Sequence, residues 1–264
     1  IPGMSVDRAY AELLKDKKGK KVIVGIVDSG VDIEHEDLKA VVWTNKKEIP
    51  ANGIDDDKNG YTDDYYGWNF VDNNSDMTSK GSHGTIIAGI IAAKQDDKGI
   101  EGIAPDARFM PLIVCGEKDC NTNGIIEAIK YAADNGADII NLSLGSANGY
   151  IGFKEAYTDI IAYAYNKGVT VVASAGNGDT ESGKGLDTSA YKISPACNDR
   201  DGVNTVITVG AMSTNGIDRT SWSNYGSCID IYAPGENILS TVVPVFEGGY
   251  GYKPGNNGTS FSAP

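Results

Sequence analysis

Two histidines, His35 and His83, are all the sequence offers to a mechanism that moves protons through an imidazole. His83 lies in Gly81-Ser82-His83-Gly84-Thr85 and opens an apolar helical segment; the glycine after it lets another backbone or a substrate approach the ring closely. Asp28, in Asp28-Ser29-Gly30, follows an apolar β-rich run, and open α/β sheets put their sites at that end of a strand. Ser260 stands in Gly258-Thr259-Ser260-Phe261-Ser262-Ala263-Pro264, on a glycine turn where a helix start would offer amide dipoles to a developing anion. A serine hydroxyl is a weak nucleophile near neutral pH and needs a base within hydrogen-bond reach, so these three residue types together point to nucleophilic acyl transfer. Taken singly, each segment reads as an ordinary turn or cap.

Positioning them requires a scaffold whose strands end together. Between residue 21 and about 175, short apolar β-rich runs alternate with helix-period segments, which is the pattern of βαβ units and a parallel sheet. The spacing predicts strands over Lys21–Val27, Arg108–Val114, Asp138–Leu144 and Val169–Ala173, and helices over His83–Lys94, Ile125–Asn135 and Phe153–Asn166. Further strands are expected at Val203–Val209, Cys228–Tyr232 and Ile238–Val242. The 264 residues are 41% hydrophobic and 22% charged, enough for a sizeable core and unlike a disordered chain. No apolar run approaches the length of about 18 residues that a spanning helix needs, so no membrane span is expected. The net charge of −13 argues against nucleic-acid or anionic-membrane partners and favours cations.

Much of that charge sits in 55–76, which holds seven aspartates and one lysine threaded with Tyr61, Tyr65, Tyr66, Trp68 and Phe70. Asp55, Asp57, Asn59, Tyr61 and Asp63 place oxygen ligands at alternate positions with Gly60 at the sixth, the spacing of the first nine positions of a Ca²⁺ loop. Tyr66 falls where an EF-hand has its twelfth-position carboxylate, so the loop is not an EF-hand, but aspartates this dense repel one another unless a cation offsets them. The four cysteines form no Cys-x-x-Cys pair. Pairing each with its sequence neighbour, Cys115–Cys120 and Cys197–Cys228, is one of three connectivities and implies an oxidising, secreted or extracytoplasmic setting; four thiols in a cytosolic enzyme is the other reading.

In the chain order Asp, His, Ser the three segments resemble the subtilisin-like serine proteases. The likeness extends to six blocks: Val24 to Asp32 with His35-Glu36-Asp37-Leu38 after it, Ser82 to Thr85, Asn141 to Gly145, Ala175-Gly176-Asn177, and Gly258 to Pro264. It implies a three-layer α/β fold with a mostly parallel central sheet flanked by helices, and a serine endopeptidase working through an acyl-enzyme. Ser260 would be the nucleophile, His83 its base and Asp28 the residue that fixes the tautomer of His83. Asn177 would share the oxyanion with the Ser260 amide, and Ser143, Leu144 and Gly145 would pair with an extended peptide substrate. A rim near Lys118–Asn121, closed by Cys115–Cys120, would face them, and Asp179–Ala196 would carry part of the pocket for the residue before the cut bond. A second Ca²⁺ site is implied after the histidine helix, with carboxylates from Asp37 and Asp96 and backbone carbonyls from Lys94, Lys98 and Ile100.

The resemblance also implies an inhibitory pro-peptide as partner and a long apolar helix starting at Ser260. Residues 1–264 are therefore expected to be one peptidase domain without that core helix and the C-terminal part after it. Two other readings compete. A catalytically silent peptide-binding module has no need of Asp28, His83, Asn177 and Ser260 together. An α/β-hydrolase would need a Gly-x-Ser-x-Gly elbow, which is absent, and a different residue order.

Overall fold

The computed structural model describes residues 4–264 apart from 16, 18, 117–118, 148–153, 180 and 201. In chain order the strands are β1 Ile23–Asp28, β2 Trp68–Asn69, β3 Arg108–Ile113, β4 Ile139–Leu142, β5 Ser146–Ala147, β6 Thr170–Ser174, β7 Ile193–Ser194, β8 Val206–Met212, β9 Ile231–Pro234, β10 Ile238–Thr241 and β11 Tyr252–Asn256. The helices are α1 Val6–Arg8, α2 His83–Ala92, α3 Thr122–Asp134 and α4 Lys154–Asn166. Seven strands form one sheet in the order β2-β3-β1-β4-β6-β8-β9, parallel at every pairing. The pairs β10–β11 and β5–β7 are antiparallel and lie outside it.

Burial on both faces explains why β1 reads as a continuous apolar run. Val24 and Ile26 pack with Ile87 and Ile91 of α2, whereas Val27 faces the cluster that holds Ile125, Ile129 and Ile161 of α3 and α4. Gly25 sits where α3 crosses: a Cβ there would lie 3.1 Å from the Ala132 methyl. The expected three-layer parallel α/β fold is therefore present, with β1 inside the sheet and its C-terminal end, Asp28, flanked by β3 and β4.

Several boundaries shift for local reasons. α3 starts a turn before Ile125 because the Asn121 side chain caps it, accepting from the Gly124 amide at 3.2 Å. β9 lies three residues beyond the expected Cys228 start, since Cys228 is disulfide-bonded to Cys197 and its amide donates to the Thr188 hydroxyl at 3.3 Å. β8 begins at Val206 because Val203 closes a turn onto Arg200. Phe153 and Lys118 lie outside the described residues. Both disulfides join sequence neighbours, Cys115 to Cys120 and Cys197 to Cys228, which selects one of the three connectivities. No helix among the described residues is long and apolar enough to cross a membrane.

Candidate active site

Asp28 ends β1 and is buried; its Oδ1 accepts the Ser29 amide at 2.7 Å. His83, the first residue of α2, holds its Nδ1 2.8 and 2.9 Å from the two carboxylate oxygens. This proximity depends on Gly84, where a Cβ would stand 2.2 Å from the Gly30 carbonyl oxygen and 3.2 Å from the Asp28 Cβ. Any side chain there would push α2, and His83 with it, off the strand end. Burial disfavours the charged imidazole, but the Asp28 charge and hydrogen bond outweigh it, so the His83 pKa stands above its ordinary value of 6.5. The ring packs at 5.4 Å against Phe261, the neighbour of Ser260.

Ser260 lies in a single 3₁₀ turn, Thr259–Phe261. Its hydroxyl donates to the Ser143 carbonyl at 3.1 Å, while the Ser143 hydroxyl donates to the Ser260 carbonyl at 2.7 Å and accepts from the Asn141 amide at 2.9 Å. Ser143 follows β4, so the edge Ser143-Leu144-Gly145 is fixed beside the serine turn, with Gly145 exposed. From the neighbouring strand end, Asn177 accepts on Oδ1 from both the amide and the hydroxyl of Thr259, at 2.8 and 2.9 Å. Its donor nitrogen is thereby left on the side of Gly258.

The sequence reading overlooked two residues that hold this arrangement. Thr259, fully buried, also accepts the Gly176 amide on its hydroxyl at 3.0 Å. Asn224 fastens the preceding segment by donating to the carbonyls of Ala175, at 2.8 Å, and Gly176, at 3.0 Å. Thr259 lies within the serine segment Gly258 to Pro264 and had a signal; Asn224 had none.

The acidic loop folds on an aromatic cluster in which Tyr61 meets Trp68, Phe70 and Tyr131 edge to face. Gly60 takes the positive φ of +97° that the turn requires. Asp55 and Asp57 come together with a third carboxylate, Glu48, one oxygen of each within 4.8 Å of the others. Glu48 is buried; Oε1 accepts the Asp57 amide at 3.1 Å, and Oε2 is buried without a hydrogen-bond partner. Asn59 belongs to the same turn, its amide donating to Asp55 and Asp57 and its side chain to Asp64. Asp63 points elsewhere and caps the amides of Asn52 and Gly53.

The second predicted set also converges in part. The Asp37 carbonyl accepts the Lys94 amide at 3.0 Å, and its carboxylate accepts the Ile100 amide at 3.0 Å. Asp96 is paired with the Lys94 ammonium at 2.9 Å, and its Oδ1 is buried without a partner. Its pKa is lowered, chiefly by the Lys94 hydrogen bond. Glu48, Asp55 and Asp57 remain the only group of three such ligands among the described residues.

A parallel sheet that carries a hydrogen-bonded Asp–His pair at one strand end, with a serine turn and an asparagine amide at the neighbouring ends, defines a serine hydrolase. A family model described as the subtilase family matches residues 19–264. Subtilisin DY of Bacillus licheniformis is 32% identical over 242 residues, covering 91% of this chain and 73% of its own length. The major intracellular serine protease of Bacillus subtilis (strain 168) is 35% identical over 246 residues, covering 91% of this chain and 66% of that protein. The crystal structure of the epidermin leader peptide processing serine protease from Staphylococcus aureus superposes with a TM-score of 0.69 at 25% identity, over 93% of this chain and 63% of that one. The chain belongs to the subtilase family, the subtilisin-like serine endopeptidases.

Proposed function

We propose that this domain is a calcium-stabilised serine endopeptidase that cleaves extended peptide or protein segments through an acyl-enzyme. The observation that carries the reading is the Asp28–His83 pair, 2.8 Å apart, set beside a serine turn that Thr259 locks to Asn177. Substrate entry frees the Ser260 hydroxyl from the Ser143 carbonyl and lets it rotate to His83, which takes the proton as Oγ bonds to the scissile carbonyl carbon. Asp28 holds the proton of His83 on Nδ1 and stabilises the imidazolium. The Asn177 amide and the Ser260 backbone N–H receive the oxyanion. His83 then gives its proton to the leaving amine, and water, activated by the same imidazole, releases the acid.

The edge Ser143–Gly145 pairs with the peptide backbone, and the loop closed by Cys115–Cys120, next to the end of β3, forms the facing rim. An inhibitory pro-segment would occupy the same cleft. Glu48, Asp55 and Asp57 suit a hard divalent cation, because an all-oxygen set with an orphaned buried carboxylate oxygen is what Ca²⁺ satisfies. Bound there, calcium would supply charge balance and rigidity to the loop, remote from the reaction. Asp37 and Asp96 are a weaker second candidate, since an ion would have to displace the Lys94 ammonium.

Two disulfides support action in an oxidising, extracytoplasmic compartment. The α2 side of the sheet carries an apolar groove of about 270 Å³ lined by residues such as Val24, Ile91, Ile139, Val172 and Ala263. We read it as a seat for a further apolar segment packed on this face of the domain. Labelling by a fluorophosphonate tests the enzyme reading: the folded protein should label and Ser260→Ala should not. A folded chain that takes no label would leave only a peptide-binding module.

A further inference from the structure

Although the chain carries a net charge of −13, four of its 23 lysines and arginines gather at the end of the sheet away from Ser260. β1 and β3 run parallel with Ile23 opposite Arg108, so both strands enter there, and the Trp43 amide joins them by donating to the Phe109 carbonyl at 2.8 Å. Asp28 lies at the other end of β1, roughly 17 Å along the strand. Between these entry segments and the end of α3 is a pocket of about 540 Å³. Lys21, Lys46, Lys47 and Arg108 line it. Its wall also includes Ile23, Val42 and Trp43, whose apolar side chains pack partly buried against the core.

The positive charge here is largely uncompensated. Asp134 is the one acidic residue of the lining among the described residues, and its carboxylate already accepts from Lys130, Lys167 and the Tyr163 hydroxyl. Lys21 and Lys46 have no carboxylate partner among the described residues. Lys47 stands 3.7 Å from Asp57 with its side chain 75% exposed, which makes a weak pair. Arg108 is half-buried and uses one N–H on the Ala107 carbonyl at 2.9 Å; its other guanidinium donors have no partner among the described residues. The end of α3 adds about half a negative charge, and its carbonyls at Tyr131 and Ala132 already accept the amides of Asn135 and Ala137, so the sign stands.

We propose that this pocket binds a nucleotide, with the base against Trp43 and the phosphates held by Arg108 and the three lysines. A guanidinium fork matches two phosphate oxygens at once, and the lysines act as point charges around it. An aromatic wall suits a planar base. The volume falls in the range of small organic ligands and exceeds what a bare phosphate needs. A long polyanion would run onto the surrounding acidic surface, which favours a small anion over nucleic acid. The pocket shares no residue with the peptide cleft, so the inference stands apart from the protease reading.

The test is isothermal titration calorimetry of the whole protein with ATP, free Ca²⁺ being held constant because the triphosphate also binds Ca²⁺. ATP should bind with a Kd tighter than about 1 mM, and added salt should weaken it. Adenosine should bind at least about tenfold more weakly and tripolyphosphate about fivefold more weakly, since each lacks one part of the ligand. Arg108→Gln should weaken ATP by about tenfold or more, and Lys21→Gln combined with Lys46→Gln by about fivefold. Both lysines are exposed, so the double variant should keep the native melting temperature and decides the matter should Arg108→Gln fold poorly. ATP should also quench tryptophan fluorescence, and Trp43→Phe should abolish the quench. No ATP binding, binding that these variants leave unchanged, or tripolyphosphate binding as tightly as ATP would overturn the proposal. An acidic peptide that binds where ATP does not would assign the pocket to a protein partner and overturn it equally.

Discussion

Replacing Asp28 by asparagine removes one charge and nothing in size, and the consequence follows from the Ser29 amide. That amide donates to Oδ1 at 2.7 Å and is fixed by the turn, so the asparagine oxygen must keep it and the NH₂ must face His83. A donor facing Nδ1 forces the ring proton onto Nε2, the nitrogen that has to accept from Ser260. The lost attraction is also large. Two unit charges 2.8 Å apart interact by about 6 kcal/mol at an effective dielectric constant of about 20, and less where solvent reaches the half-exposed ring.

A loss of about 10⁴ in kcat, as in other serine-protease triads, corresponds to about 5.5 kcal/mol, so the tautomer and the charge together account for it. The pH profile gives an independent readout. Activity needs neutral His83 and rises with pH through its pKa, which Asp28 holds above 6.5 against the effect of burial. Without Asp28 only burial remains, so the acidic limb of kcat/KM should move below 6.5. Stopped-flow or long-time assays on a chromogenic peptide across pH 5–9 measure both. A variant that keeps more than about a tenth of the activity, or whose limb stays in place or moves up, would refute the role of the pair.

Two further outcomes are expected. Chelation of Ca²⁺ should lower the melting temperature by about 5–10 °C, since an ion held at about 100 times its Kd contributes about 2.7 kcal/mol and a domain of this size shifts about 2–4 °C per kcal/mol. Glu48→Gln should abolish most of that calcium-dependent increment in calorimetry, and a native melting curve indifferent to chelator would remove the site. Asn177→Ala should reduce kcat by about 10²–10³ with little change in KM, a magnitude taken from the loss of one oxyanion donor in subtilisin. Steady-state kinetics decide it, and a change confined to KM would show that the amide serves binding alone.

Local signals were legible wherever chemistry or periodicity is written into short segments. The buried run of β1 and the apolar period of α2 announced a parallel sheet, and the blocks around Asp28, His83, Asn177 and Ser260 announced the machinery, because a catalytic turn must carry its own glycines and side chains. Boundaries were less legible where a cap or a distant bond decides them, as Asn121 does for α3 and Cys197 does for the strand after Cys228. The acidic loop shows the same division. Asp55 and Asp57 follow from spacing, but Glu48 enters from a separate turn and Asp63 leaves to cap Asn52, and no local pattern encodes either.

Fixing the cleft is likewise a matter of long-range contact. Thr259 orients Asn177 across 82 residues, and Asn224 pins the segment behind it. One chain could therefore declare its reaction in its sequence, since the reacting groups are few and sit in stereotyped turns. How its serine turn is held depends on which distant side chains reach it, and that is settled only when strands far apart in sequence close on one another.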